Sequence, residues 1–327
     1  MSITKTYGTY PSANGRSTVH YTVWKPEGNP SAMVQISHGM CEYIDRYDET
    51  ARYLCEQGYI VFGNDHIGHG RSAENSDDLG YFAESDGDLF VMRDLYTLNQ
   101  LMKKTYRSLP TILWGHSFGS FVARAYLMAH GDSIDGLILS GTSGGGQPLG
   151  LAKFLCKQIA KCKGGRYRSK FIHNIAFGSY NKRFANGKNS TGYEWVTSGS
   201  EALVSYVRDP YCMFQFTVQG FYDLFTVLSF VNSEEWYEKV PKGLPIYLTG
   251  GSEDPVCNYG KDLQLIAENL LEYDSSDIEY KIYKDEHHEP HTGVCKAEAM
   301  ADIATFVEKV TDGVQEARRA SYWMPAR

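Results

Sequence analysis

The chain has 327 residues, 42% of them hydrophobic and 22% charged, an ordinary globular composition that suits one large domain with an insertion or two smaller domains. A net charge of -7 and a pI near 5.8 argue against a partner with a nucleic-acid backbone, and no stretch approaches the roughly 18 apolar residues of a membrane span. The seven cysteines are scattered, with no C-x-x-C pair, and the polar start from Met1 to Gly15 lacks a secretory signal, so reduced thiols and a cytoplasmic location are expected, with no disulfide framework, metal site or cofactor.

In chain order, Val19 to Trp24 and Ala32 to Ile36 read as strands, Ala51 to Gln57 as a helix closed by Gly58, and Tyr59 to Phe62 as a buried strand. A longer helix is expected from about Asp88 to Lys104, with Leu89, Met92, Leu95 and Met102 on or near one face. Thr111 to Trp114 is an apolar run, Phe118 to His130 is a helix ending at Gly131, and Leu137 to Ser140 is a further strand. After Gly144-Gly145-Gly146 the alternation stops, and helical segments without a clean βαβ unit continue to about Lys242. It resumes with Ile246 to Thr249, a helix around Leu263 to Leu271, the strand Ile278 to Tyr283 and a last helix from Ala297 to Val310.

This order predicts an α/β fold: a mainly parallel sheet with helices on both faces, discontinuous in sequence (1–143 and 243–317). A helical cap, 144–242, is expected over the strands' C-terminal edge, where open α/β sheets bind ligands, and 318–327 reads as a loose tail.

Gly115-His116-Ser117-Phe118-Gly119 directly follows the apolar run and opens the helix. A serine on so sharp a strand-to-helix turn stands clear of the backbone, and its neighbours two residues away must be small because a Cβ there would clash across the turn. Ser117 is therefore the candidate nucleophile. A hydroxyl needs a base to take its proton, and the base needs a carboxylate to fix its tautomer. In chains with this turn the order is Ser, then Asp or Glu, then His. Two loops after the insertion supply them: Gly250-Gly251-Ser252-Glu253-Asp254-Pro255 offers Asp254, and Lys284-Asp285-Glu286-His287-His288-Glu289 offers His287 or His288. A metal cluster including His291 is disfavoured, since the spacing is not H-E-x-x-H and Pro290 opposes the helix that pattern requires. An oxyanion hole needs two backbone N–H groups, expected from Phe118 and from Met40 in the loop His38-Gly39-Met40-Cys41-Glu42, with His38 in a supporting role.

With these residues assembled, the chain resembles the α/β-hydrolase superfamily, in its monoacylglycerol lipase and lysophospholipase-like branch. The resemblance spans nearly the whole chain and rests on His38-Gly39-Met40 with Glu42, Arg46 and Tyr47, on Asn64-Asp65-His66-Ile67-Gly68-His69-Gly70-Arg71-Ser72, on the Ser117 turn, on Asp254-Pro255-Val256 and on His288-Glu289. It implies the triad Ser117, Asp254 and His288, choosing His288 by its distance from Tyr283, and gives His66, His69 and Arg71 a loop-shaping role. The chain departs from the branch in carrying Asp285-Glu286-His287 where a glycine is usual, and in Pro290.

The expected activity is hydrolysis of a small-molecule ester or lipid with a hydrophobic acyl group, under a cap rich in aromatics such as Trp195, Tyr206, Phe214 and Phe221. The alternatives are an amide or peptide hydrolase, an acyltransferase using the same triad, and a non-catalytic binding module, which the filled triad and oxyanion positions disfavour. Fold relatives with a carboxylate nucleophile are opposed by Ser117. Leu151 to Lys163 reads as an amphipathic helix with Leu151, Phe154, Leu155 and Ile159 on one face and Lys153, Lys157 and Lys161 on another, so a peripheral contact with an anionic membrane surface is a further expectation.

Overall fold

The computed structural model describes residues 2–184, 190–275 and 277–322. Eight strands form one sheet in the order β1-β2-β4-β3-β5-β6-β7-β8: Ile3–Pro11, Thr18–Pro26, Ala32–Ser37, Tyr59–Asn64, Thr111–His116, Gly136–Ser140, Ile246–Gly251 and Ile278–Tyr283, numbered along the chain. β1 runs antiparallel to β2 and β2 antiparallel to β4, while every other neighbouring pair is parallel. β3, β4, β5, β6 and β7 are buried along their whole length, because parallel strands are covered on both faces.

The helices are α1 (Asp48–Glu56), α2 (Gly87–Thr105), α3 (Phe118–His130), α4 (Leu149–Lys163), α5 (Lys170–Phe177), α6 (Ser200–Arg208), α7 (Val218–Val231), α8 (Glu234–Lys239), α9 (Lys261–Glu272) and α10 (Lys296–Tyr322). Two apolar layers flank the sheet. One holds Met33, Phe62, Leu113 and Leu137 with α2, α3, α7 and α9. The other holds Val34, Val61, Trp114 and Ile138 with α1 and α10.

Two features differ from the sequence reading. β1 carries few apolar residues and sits at the sheet's edge, its pattern mostly exposed, so it shows no hydrophobic signal; its partner register with β2 defines it instead. The expected loose tail starting at Arg318 is instead helical through Tyr322, with Arg318 donating to the Ser108 carbonyl. Ala317 and Ala320 are strong helix formers, and no glycine or proline between Gly313 and Tyr322 breaks the run.

From β6 to β7 the α-helices are α4 to α8, with no strand among the described residues. Arg124, fully buried on α3, fixes both roots of this insertion. It donates to the Ser143 carbonyl at 3.0 Å where the chain leaves the sheet, and to the Val231 carbonyl and Asn232 Oδ1 where α7 ends. Its guanidinium also lies 4.2 Å from the Trp236 ring centroid, and the Trp236 indole N–H returns a bond to the Arg124 carbonyl at 2.7 Å. Replacing Arg124 with Leu strands two buried carbonyls, so urea denaturation is expected to show a loss of about 3 kcal/mol, with Arg124→Lys recovering part of it.

Candidate active site

Sequence order changes direction between β3 and β5, which are neighbours in the sheet, so the loops leaving their C-terminal ends diverge and open a crevice. One loop is His38 to Glu42 and the other is the turn at Ser117. β6, β7 and β8 deliver Gly141, Asp254 and the His288 loop to the same edge.

Ser117 stands at φ 51°, ψ -122°, a conformation costly for any residue with a Cβ and stable only when the surroundings impose it. The imposition is steric. A Cβ on Gly119 would lie 1.9 Å from the Ser37 carbonyl oxygen, and one on Gly115 would lie 2.5 Å from the Gly119 carbonyl oxygen. The turn therefore packs directly on the end of β3, and Ser117 is the one residue from Thr111 to Arg124 that is not buried. Its own N–H is tied to the Ser140 carbonyl at 2.8 Å. Gly39 lies against it, since a Cβ there would sit 3.1 Å from Ser117 Cβ.

His288 is buried, its Nδ1 2.9 Å from Asp254 Oδ1, and Asp254 Oδ1 also accepts the Val256 N–H at 2.8 Å. The His288 ring lies 4.7 Å, centroid to centroid, from that of His116, the residue before Ser117, and 5.2 Å from that of Trp195. Gly141, at φ 58°, makes room for it: a Cβ there would meet His288 Cε1 at 2.6 Å. Burial opposes a charge on this imidazole, but the Asp254 carboxylate beside it prevails and raises its pKa above the ordinary value. His287 is turned elsewhere, with Nδ1 2.6 Å from the Glu194 carbonyl and its ring against Phe184. His291 stacks on Tyr47.

The Gly39 N–H donates to Glu42 Oε1, and among the described residues the next N–H, that of Met40, meets no acceptor. The N–H of Phe118 heads α3 and so has no intrahelical acceptor, at the helix end that favours negative charge. His38 bridges within the loop region: Nδ1 lies 2.8 Å from the Gly39 carbonyl and Nε2 accepts the His66 N–H at 2.9 Å. Burial pushes its pKa well down, which suits a neutral ring with both nitrogens engaged. His66 and His69 are buried beside it, and Arg71 bonds Asp65 at 3.2 Å, so all three shape the loop after β4.

The sequence reading quoted Glu42, Arg46 and Glu289 without giving them a task, because nothing in their spacing says that they meet. In the structure Arg46 Nη1 lies 2.7 Å from Glu42 Oε2, and its two terminal nitrogens each reach a Glu289 oxygen at 2.8 Å. Tyr47 adds a bond to Glu42 Oε1 at 3.0 Å, and the guanidinium lies 4.9 Å from the Tyr206 ring centroid. One cation thus joins the Gly39–Glu42 loop, the residue after His288 and the helical insertion. Burial pushes the Glu42 carboxyl up; Glu289, buried too, is nevertheless held low by the guanidinium's paired bonds.

A cavity of about 270 Å³ opens beside Met40, lined by Cys41, His173, Phe177, Trp195, Tyr206 and Phe214 among others, with no carboxylate, lysine or arginine among the described lining residues. Of the aromatics singled out in the insertion, Trp195, Tyr206 and Phe214 face this cavity, whereas Phe221 is buried against Phe225 and Phe216, and Phe216 in turn meets Phe82 and Phe118 on the sheet side. Two larger depressions, of about 500 and 610 Å³, lie on other surfaces around Arg16 and around Tyr211.

Comparison with known proteins places this geometry. Residues 28–293 match the family described as serine aminopeptidase, S33. The monoglyceride lipase of Rattus norvegicus is 29% identical over 269 residues, 82% of this chain and 78% of that protein. The monoacylglycerol lipase of Mycolicibacterium smegmatis is 30% identical over 141 residues, 43% of this chain and 48% of that protein. A thermostable carboxyl esterase from Bacillus coagulans superposes with a TM-score of 0.87 at 27% identity, covering 95% of this chain and 99% of that one. A soluble variant of the Saccharomyces cerevisiae monoglyceride lipase shares the fold at a TM-score of 0.73 and 18% identity, covering 93% and 94%.

Removing the Arg46 cation leaves two buried carboxylates facing each other. Arg46→Met is expected to cost about 3–5 kcal/mol of stability. In that variant both acids have pKa values above their unfolded ones, so their contribution is lost as pH rises; the deficit should grow between pH 5 and pH 8 in chemical denaturation.

Proposed function

The chain belongs to the serine aminopeptidase S33 family of α/β-hydrolases, in its monoacylglycerol lipase-like branch, and on that premise we propose that it cleaves carboxylic esters with a hydrophobic acyl group through an acyl-enzyme on Ser117. The observation that carries this reading is the partly exposed, positive-φ Ser117 against the Gly39 loop, with the buried His288–Asp254 pair packed on the neighbouring His116.

In the proposed sequence, His288 Nε2 takes the Ser117 proton as Oγ attacks the ester carbonyl carbon. The Met40 and Phe118 N–H groups hold the oxyanion of the tetrahedral intermediate. Its collapse breaks the bond to the alcohol oxygen, and the alcohol leaves with the proton from His288. Water then attacks the acyl-enzyme by the same steps, releasing the carboxylic acid and restoring Ser117. Asp254 keeps Nδ1 protonated and the ring oriented throughout.

Residues 144–242 act in this reading as a cap inserted into a core of 1–143 and 243–317. The aromatic cavity beneath it suits the apolar part of a lipid ester such as a monoacylglycerol or lysophospholipid. The same cavity favours esters over N-terminal peptides, since among its lining residues no carboxylate waits for a substrate ammonium group.

A fluorophosphonate probe is expected to label the protein and not Ser117→Ala, and p-nitrophenyl esters should be turned over faster as the acyl chain lengthens beyond acetate. Labelling without ester turnover would move the reading to amide hydrolysis or acyl transfer, and absence of labelling to a binding module. The raised His288 pKa fixes a second outcome. The base must be neutral, so kcat/KM should rise with pH along a limb centred above about 6.5. Asp254→Asn removes the stabilising charge: the limb should move to lower pH and kcat should fall by about 10⁴.

A further inference from the structure

The sheet has two outer strands, and they differ in character. β1, at one edge, carries Lys5 as its one charge and ends in Pro11. β8, at the other, reads Ile278-Glu279-Tyr280-Lys281-Ile282-Tyr283 and pairs, among the described residues, with β7 alone. The N–H groups of Ile246 and Ser252 bond to the carbonyls of Asp277 and Tyr283 at 2.8 and 2.9 Å. Backbone groups alternate in direction along a strand, so the odd-numbered residues of β8 turn theirs toward β7. Ile278, Tyr280 and Ile282 therefore turn their N–H and C=O groups outward, where no strand meets them among the described residues. Such an edge is a template for a further strand.

The side chains sort by the same alternation. Glu279 and Lys281 lie on the α10 side, Glu279 paired with Lys309 and Lys281 with Glu298 and Asp302. Ile278 packs into the apolar layer of α9, and Ile282 lies against Gly260 at the head of that helix. Tyr280 between them is nevertheless 48% exposed, and Ile282 36%.

The strand is a palindrome in charge and polarity. Turned end for end about Tyr280, it sets Ile278 opposite Ile282, Glu279 opposite Lys281 and Tyr280 opposite itself. An antiparallel copy thus offers each charge its opposite and each apolar side chain another apolar one. The backbone agrees with this register. In an antiparallel ladder, hydrogen-bonded pairs alternate with non-bonded ones, and residues whose backbone groups face outward must form the bonded pairs. An axis at Tyr280 makes the bonded pairs 280 with 280 and 278 with 282, the outward-facing residues. Glu279 and Lys281 then fall in the non-bonded pair, where side chains approach most closely. An axis at Glu279 or at Lys281 would use the same amides but set like charges opposite each other.

We propose that the chain forms a homodimer through β8, the two strands pairing antiparallel about a two-fold axis at Tyr280. The two sheets then join into one, and Tyr280 and Ile282 lose their exposure. On the α10 side the signs alternate across the axis, from Lys309 to Glu279, to the partner's Lys281 and to the partner's Glu298. β8 runs into the loop that carries His288, so the junction braces the strand from which that loop departs. The surface stands apart from the question of which substrate the site takes.

Sedimentation velocity of the full chain at micromolar concentrations is the test, with a particle of twice the 36.8 kDa chain mass expected. Tyr280→Pro deletes the N–H at the axis and no bond within the protomer, since an edge strand accepts proline where its amide faces out. It should abolish the dimer. Lys281→Glu sets acids opposite each other on both sides of the axis and should weaken association about tenfold or more. Combining Glu279→Lys with Lys281→Glu exchanges the two charges, restores their opposition and should bring the dimer back, which a general loss of stability would not do. Lys281 also has partners in its own protomer, so melting followed by circular dichroism establishes that each variant is folded at the temperature of sedimentation. A wild-type chain that sediments as a monomer overturns the proposal. So does a dimer that survives Tyr280→Pro, or a folded charge-exchanged variant no better associated than Lys281→Glu alone.

Discussion

A buried guanidinium between two carboxylates organises the sheet edge that carries the candidate active site. Arg46 reaches Glu42 on one side and Glu289 on the other, and neither acid could be held charged in that interior without it. Each acid in turn controls backbone. Glu42 takes the Gly39 N–H, which sets the loop that carries Met40, and Glu289 follows His288 directly in the chain. The two halves of the proposed chemistry, oxyanion binding and proton transfer, come from segments more than two hundred residues apart, and one side chain spans them. Such an arrangement spends electrostatic energy on register: a small displacement of either loop breaks a charge-assisted bond rather than merely stretching a contact.

The steric arrangement around Ser117 works with this clamp. Missing Cβ atoms at Gly115, Gly119 and Gly39 let the turn seat on the end of β3 and let the oxyanion loop lie against the serine. Strain at Ser117 is therefore held by close packing among backbone atoms, which deform little. In the proposed reading, substrate choice belongs to another part of the molecule, the aromatic cavity shared between Cys41 and the helical insertion.

What the sequence disclosed, it disclosed through periodicity and local motifs. The parallel strands, α2, α3 and the Ser117 turn are written in short windows, because a buried strand or an amphipathic helix must repeat its apolar residues at a fixed interval. The placing of Met40 and Asp254 followed from knowing which sheet edge each loop leaves. His288 could not be told from His287 by residue chemistry alone; the two rings differ in direction, His287 Nδ1 meeting the Glu194 carbonyl and His288 Nδ1 the Asp254 carboxylate. β1 was hidden because an edge strand needs little apolar surface, and the extension of α10 to Tyr322 because a solvent-facing helix end has no hydrophobic rhythm. The Arg46 clamp and the Arg124 tie were equally silent, since long-range pairings of charges and carbonyls leave no periodic trace. The division of α4's apolar residues into a partly buried set, Leu155 and Ile159, and an exposed one, Leu151 and Phe154, depends on where α7 packs, which is a property of the fold.

Arg124 holds the insertion at both roots, yet two of its three bonds there go to backbone oxygens, those of Ser143 and Val231. A carbonyl is offered by any amino acid, so beyond Asn232 and Trp236 this attachment places little demand on which residues the insertion contains. Its helices can exchange side chains, lengthen or reshape their cavity while the junction stays the same. The fold thus separates a region where change is ruinous from one where it is far freer, and a lineage can reshape the insertion without renegotiating how it is fastened to the sheet.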